Sequence, residues 1–308
     1  MKFDKAYCKE LDKAITPYYA RELFFDETGI YYGKKLEFKC RDENCRVELI
    51  GVNIYKEKRF KKALHYRTKP KTNHADECMF IAENKEHKNG RNDEREDGEG
   101  FKISKYPSEF LLERPKQKNN GVNIIEVEED VDLPTKSTNG RGNDKRSTKK
   151  KSKLKTSCLE HLVDCYLNGD KNQLKREVLT IGNKTKYFNN FFKKIKFCHD
   201  EQGLIYWGVL KGIKKYGGNY KITFKDKLKI DEEYLPVSIY IKDETINNYR
   251  RKKVFRSLIS DLASSDDEVT CFFVGAYPEK KEVEYNGSKF NIMEVDIENL
   301  DHIALTFK

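Results

Sequence analysis

Cys40 and Cys45 are separated by four residues in CRDENC, and His74 and Cys78 by three in HADEC. Thiolate sulfur and imidazole nitrogen together select zinc among common cellular ions, and four such donors close a tetrahedral coordination sphere. A closed sphere leaves no position for water or substrate. The chemistry expected is therefore structural, with one Zn2+ held by Cys40, Cys45, His74 and Cys78. Asn73 is a good N-cap, and NHADECMFIAEN reads as a helix that sets His74 and Cys78 on one face. His65 in ALHYR is a rival fourth ligand. The competing reading is two half-buried cysteines beside an unrelated histidine.

The elements that must position these donors lie in residues 1–82. GIYYGKKLEFKC, VELIGVNIY and ALHYR are rich in β-branched and aromatic residues and read as strands, so the expected unit is a β-hairpin followed by a helix. So small a unit has a thin core, and a bound ion would supply much of its folding free energy. The run FKC-x4-C-RVEL, then LHYR, then H-x3-C, resembles the N-terminal zinc-binding module of bacterial competence CoiA-type proteins and related phage or mobile-element proteins over residues 23–80. Here the hairpin has no tight Cys-x2-Cys knuckle, and HYRT keeps only the first of two family histidines. The resemblance implies a DNA-processing or mobile-element context. It also implies a following nuclease domain, but neither Asp226 paired with IKDE nor Glu294 paired with VDIE has a strand-end lysine at the spacing a Mg2+ nuclease site needs. No Walker loop, G-x-S-x-G elbow or H-E-x-x-H is present, and a non-enzymatic protein is expected.

Residues 83–156 read as a mostly disordered charged linker. NKEHKNGRNDEREDGEG and STNGRGNDKRSTKKKSKLK have no apolar period, while FKISKYPSEFLL and GVNIIEVEEDVDL could be short strands or docking segments. Residues 157–200 follow as a helical segment: Leu159, Leu162, Val163 and Tyr166 recur at helical spacing, with Cys158 and Cys165 on the same face as expected core. Residues 201–308 turn to strands. Gly217-Gly218 joins LIYWGVLKGIKKY to NYKITFKDKLKI as a hairpin, PVSIYIKDE is a third strand, and Phe255, Leu258, Ile259 and Leu262 mark an amphipathic helix before two further strands.

That order suggests an α+β protein in which a small zinc-stabilised domain precedes a five-stranded OB-like barrel. Barrels of this kind bind single-stranded nucleic acid through aromatic platforms and a basic groove. The expected contacts are Tyr206, Trp207, Tyr216, Tyr220 and Phe224 for stacking, with Lys211, Lys214, Lys215, Lys221 and Lys225 on phosphates; alternation places Lys211 and Tyr220 outward. YFNNFFKKIKF forms a second aromatic and basic cluster.

Composition agrees with a polyanion partner. The chain of 308 residues has a formal charge of +10 and a sequence pI near 8.9. Charged residues make up 36% and mean hydropathy is -0.86, too polar for one large core. The start has no apolar h-region and no run is long enough to span a bilayer, so a cytoplasmic, reducing compartment is expected, with the eight cysteines as ligands or core rather than disulfides. The alternative from another class is a protein-interaction adaptor whose linker islands fold on partners.

Overall fold

The structure, a computed structural model, describes residues 2–57, 63–80, 106–114, 154–198, 203–285 and 287–307. The chain is mixed α+β and mostly sheet. Its N-terminal part holds strands Lys2–Phe3 (β1), Ala6–Cys8 (β2) and Lys13–Ile15 (β3), helix Pro17–Phe25 (α1), and strands Phe38–Lys39 (β4), Glu48–Val52 (β5) and His65–Thr68 (β6). They form one six-stranded sheet in the order β1-β6-β5-β4-β2-β3, so more strands surround the expected hairpin than the sequence suggests. Helix α1 starts where Thr16 Oγ1 accepts the Tyr19 amide at 3.2 Å and Pro17 presets the first turn. Ala6, Ile15, Tyr19, Phe38, Leu49 and Tyr66 are among the side chains that close the small core between helix and sheet.

Most of residues 83–156 lie outside the described residues, including GVNIIEVEEDVDL and most of the lysine-rich run. One expected island is described, and it docks. Glu109–Phe110 (β7) pairs in parallel with Lys155–Thr156 (β8) and with Val178–Ile181 (β9), and Lys184–Tyr187 (β10) completes a four-stranded sheet. Helices Leu159–Asn168 (α2) and Lys171–Leu174 (α3) precede β9. The helix register sets Leu159, Leu162, Val163 and Cys165 inside a larger apolar cluster that also takes in Tyr206, Ile239, Phe273 and Leu305. Residues 157–198 therefore share a core with the sheet that follows.

That sheet contains Phe192–Lys194 (β11), Ile205–Tyr216 (β12), Asn219–Ile230 (β13), Glu233–Ile241 (β14), Val269–Phe273 (β15), Glu279–Tyr285 (β16), Ser288–Asp296 (β17) and Ile303–Phe307 (β18). Helices Asp243–Asn247 (α4) and Lys252–Ala263 (α5) cross over between β14 and β15. The order is β16-β17-β14-β13-β12-β15-β18, with β11 beside the first part of β12. Five strands were expected and eight are present, because KEVEY forms a hairpin with the strand after it, the expected last strand divides into β17 and β18, and FKK adds to β12. Among the described residues no ladder joins β15 to β17, so the sheet does not close on itself through those strands. The β13–β14 turn runs through Asp231 and Glu232, both with positive φ, as a two-residue hairpin turn of the right twist demands. No helix among the described residues is long and apolar enough to cross a membrane.

Helix α1 is buried on both sides because its second face meets the C-terminal part. Arg250, in the turn between α4 and α5, donates to both Asp301 carboxylate oxygens at 2.8 Å and pairs with Glu22 and, at 3.6 Å, with Asp26. Arg114, at the end of the docked island, reaches Glu22 at 3.0 Å and Asp26 at 3.6 Å. Arg251 reaches Asp301 at 3.3 Å, and the Tyr249 hydroxyl donates to it at 2.8 Å. Burial pushes both carboxyls up, but they end differently. Arg250 and Arg251 outweigh burial at Asp301 and hold it below its ordinary value, whereas burial prevails at Glu22 and leaves it raised.

A second contact of α1 lies beside this network. Tyr18 stacks on His161 with ring centroids 4.1 Å apart and donates to Asp164 at 2.8 Å. His161 is buried, its Nδ1 has no hydrogen-bond partner, and burial, with the Lys5 ammonium adding, pushes its pKa down to about 3.

Two outcomes follow from the joint. Arg250→Ala removes the cation shared by Glu22, Asp26 and Asp301, leaving only Arg114 and Arg251 against three buried carboxyls, and should cost about 3–5 kcal/mol in urea unfolding; a loss below about 1 kcal/mol would show the pairs to be dispensable. His161 is depressed in the folded state, so its full stability is present above its ordinary pKa near 6.5 and is lost as pH falls from there toward about 3. The expected slope from this group is about 1.4 kcal/mol per pH unit, and it should be absent in His161→Phe.

Candidate metal centre

Cys40 follows β4, and Cys45 follows a tight turn made by the residues between them. The Asp42 carbonyl accepts the amides of Cys45 at 3.1 Å and Arg46 at 2.9 Å, while its carboxylate accepts the Asn44 amide at 3.0 Å. This Asp-x-Asn turn replaces the missing short knuckle and aims both thiols the same way. Arg46 takes a positive φ of 42° to leave the turn. The Cys40 amide then donates to Val47 O at 2.8 Å, closing the hairpin.

The other two donors arrive differently from expectation. No helix runs from Asn73: His74 lies in extended chain, a turn covers Asp76 and Glu77, and helical structure begins only at Met79. The Cys78 amide donates to Ala75 O at 2.9 Å, so a turn rather than a helix face brings His74 and Cys78 together. Asp42 again supplies the reason, because its second carboxylate oxygen accepts the Met79 amide at 3.0 Å and caps the helical turn there. These amide bonds, the one from Met79 foremost, hold the Asp42 carboxyl below its ordinary range.

The four donor atoms lie within 4.8 Å of one another. Cys40 Sγ is 3.7 Å from Cys78 Sγ, and His74 Nδ1 is 3.3 Å from Cys45 Sγ and 3.4 Å from Cys78 Sγ. Bond lengths of about 2.3 Å to sulfur and about 2.0–2.1 Å to nitrogen give tetrahedral edges of roughly 3.8 Å and 3.6 Å, so the cluster has the size of a four-ligand site. The His74 Nε2 edge faces the Thr68 hydroxyl at 3.2 Å, which suits coordination through Nδ1 with the remote nitrogen held by an oxygen. Phe3 packs against the same imidazole with centroids 5.1 Å apart. Burial raises the Cys40 thiol, while at Cys45 burial is outweighed by the amides of Val47 and Ala75 and the thiol is lowered. His65 is elsewhere: it is buried on β6 with Nδ1 2.9 Å from Ala63 O, outside the donor cluster. Thr68 and Asp42 were not singled out from sequence, although D-x-N is a turn signal.

The residues expected on nucleic acid divide between surface and core. Lys211, Lys214, Lys215 and Lys225 are exposed, Tyr216 is half exposed, and Lys221 is partly buried. Tyr206 and Tyr220 are 0% and 3% exposed and cannot stack on a base. Tyr206 packs against Phe273, and Tyr220 aligns with the buried Ile241. The reason for Tyr220 is the turn: Tyr216 pairs with Asn219, which puts those two on the outer face and Tyr220 on the inner one. Phe224 is also core. Trp207 is half-buried between the Phe272 ring, 5.9 Å away, and Lys194 Nζ, 5.3 Å from its centroid. Lys225 is already paired with Glu268 at 3.1 Å.

Metal analysis of protein purified without chelator should give about one ion per chain, absent in Cys40→Ser together with N-terminal folding. Thr68→Ala should retain the fold and lose about 10- to 100-fold in metal affinity. An N-terminal part that folds without metal would remove the site.

Comparison with family models, curated proteins and solved structures returns no match for this chain, so the resemblance to the competence-protein module rests on its own residues.

Proposed function

We propose that the chain is a non-enzymatic, single-stranded nucleic-acid-binding protein whose N-terminal part is stabilised by one Zn2+ held by Cys40, Cys45, His74 and Cys78. Three thiols and an imidazole in a closed set favour zinc over harder ions and leave no open position for a reacting ligand. The strand order lends the C-terminal part an OB-like character. A three-strand meander is followed by a helical crossover, a strand returning to β12 and a strand parallel to β14. A cytoplasmic setting and a role in DNA processing or on a mobile element remain the context that the competence-type resemblance suggests.

The observation that carries the reading is a like-charge pair. Lys214 and Lys221 are Cα partners across the β12–β13 ladder, beside the exposed Lys211 and Tyr216, while Lys215, the partner of Tyr220, is exposed near the tip on the other face. Like charges directly opposed in a sheet are destabilising, so this face is best satisfied by an external polyanion. None of Lys211, Lys214, Lys215 or Lys221 takes part in an ion pair among the described residues. The hairpin that presents them is braced: the Asn219 side chain accepts the Asp243 amide at 2.8 Å, and a Cβ on Gly218 would fall 2.4 Å from Asp243 Cγ. Bound strands would contact lysines and the Tyr216 ring, and affinity would fall with salt.

The test is a titration of labelled oligo-dT and oligo-U against salt. Lys214→Ala/Lys221→Ala should lower affinity at least tenfold near 50 mM salt and reduce the slope of log K on log salt by about 1.4, at about 0.7 per lost phosphate contact. Absence of any wild-type binding near 50 mM salt, with stoichiometric recovery of a protein partner, would replace this reading by an adaptor role. Mg2+-dependent degradation of the oligonucleotide by pure protein would replace it by a nuclease.

A further inference from the structure

The hairpin is not the only positive part of the molecule: β12 and β13, residues 205–230, contain seven lysines against one aspartate. Residues 203–308 contain seventeen Lys and Arg and seventeen Asp and Glu, so the main sheet is neutral as a whole. Residues 171–198 contain seven lysines and one arginine against a single glutamate, which leaves an excess of seven in a chain whose total is +10. Elsewhere on the surface Lys9, Lys69, Lys242, Lys281 and Lys289 each pair with a carboxylate at 2.8–3.1 Å, while Lys34, Lys35, Lys71, Lys227 and Lys229 are exposed without an ion pair among the described residues. Lys193, Lys194 and Lys196 are exposed and make no ion pair among the described residues.

An aromatic ring stands among them. Phe197 ends the short turn Ile195–Phe197 and is 56% exposed, although the turn is anchored by the fully buried Ile195. Lys196 Nζ sits 5.0 Å from the Phe197 centroid, a cation–π contact that fixes charge beside ring. This is the pairing of phosphate contact and stacking surface that single strands require.

The patch is also continuous with the hairpin. Lys194 is in register with Trp207 on β12 and lies over its ring. Along β12 the residues Tyr206, Gly208, Leu210 and Ile213 point into the core, while Trp207, Lys211 and Lys214 are on the outer side, the bulge between Leu210 and Gly212 preserving that sense. From the Trp207 level to Lys214 the strand covers roughly 23 Å at about 3.3 Å per residue. The geometry points to Lys193, Lys194, Lys196 and Phe197 as a second nucleic-acid contact surface, so that one single strand runs along the outer side of β12 from this patch to the hairpin. This rests on the nucleic-acid reading above and adds three lysines to the four of the hairpin.

The full-length triple variant Lys193→Ala/Lys194→Ala/Lys196→Ala, with Phe197→Ala separately, tests the assignment against oligo-dT. With metal content and circular dichroism unchanged, the triple variant should lose at least tenfold in affinity near 50 mM salt and about 2 in salt slope, at about 0.7 per contact. Phe197→Ala should lose about 5- to 150-fold with the slope preserved. A triple variant that binds as wild type does, while Lys214→Ala/Lys221→Ala is impaired, overturns the second surface and leaves the hairpin. A wild type that binds no oligonucleotide overturns both. Loss in the triple variant of binding to phosphatidylserine vesicles, with oligonucleotide binding intact, assigns the patch to a membrane and overturns it as well.

Discussion

Arg250 holds the two parts of this protein in one arrangement. Its guanidinium lies between Glu22 and Asp26 on one side and Asp301 on the other, with Arg114 and Arg251 making three cations against three carboxylates. Removing such charges from water is expensive, and the attraction among them returns that cost only when geometry and count are right. The network is thus a poor source of net stability and a strict source of orientation, since any shift of α1 would leave a buried charge unmatched. It gathers residues from the N-terminal helix, from the docked island and from the last strands. The N-terminal part is accordingly not a bead on a tether.

That placement changes what a metal ion would do. The N-terminal core is small, and its sheet includes two-residue strands, β1 at one edge and β4 between β5 and β2. Cross-linking Cys40 and Cys45 to His74 and Cys78 would join the β4–β5 hairpin to the segment after β6, which the strand ladders alone do not secure. Helix α1 packs on this same sheet and delivers Glu22 and Asp26 to Arg250. Folding energy supplied at the thiols is therefore felt at the joint, through one rigid helix rather than through a long chain of contacts.

Much of the metal cluster was legible because ligand chemistry is local: residue type and short spacing suffice to mark Cys40, Cys45, His74 and Cys78. The way in which His74 and Cys78 converge was not legible. Helix propensity from Asn73 onward was overridden by a carboxylate, Asp42, that is more than thirty positions away and caps the chain at Met79 instead. The Gly217-Gly218 hairpin was readable from its turn, yet Tyr220 was placed on the wrong face because one step of register inverts every side chain. Tyr206 failed for a related reason, since β12 is long enough to serve a mixed neighbourhood, with β11 and β15 flanking its first part and β13 its second. The ionic joint had no local signature at all: Glu22 and Arg250 are 228 positions apart.

The distribution of charge is the remaining constraint. A sheet that balances its own charges overall attracts a polyanion only where its lysines are locally in excess. Lys225, Lys242, Lys253, Lys280, Lys281 and Lys289 are committed to carboxylates, whereas Lys211, Lys214 and Lys215 on β12 and Lys221, Lys227 and Lys229 on β13 are not, nor are Lys193 and Lys194 on the short β11. An opposed lysine pair at one end and three uncompensated lysines with an exposed phenylalanine at the other both raise the energy of the isolated protein. A native sequence retains such repulsion without penalty to function where a partner of opposite charge relieves it, and under the proposed function a flexible chain of phosphates would relieve it at both ends at once. Tyr216 and Phe197, left in water at those two ends, then acquire a shared purpose that burial in the core denies to Tyr206 and Tyr220.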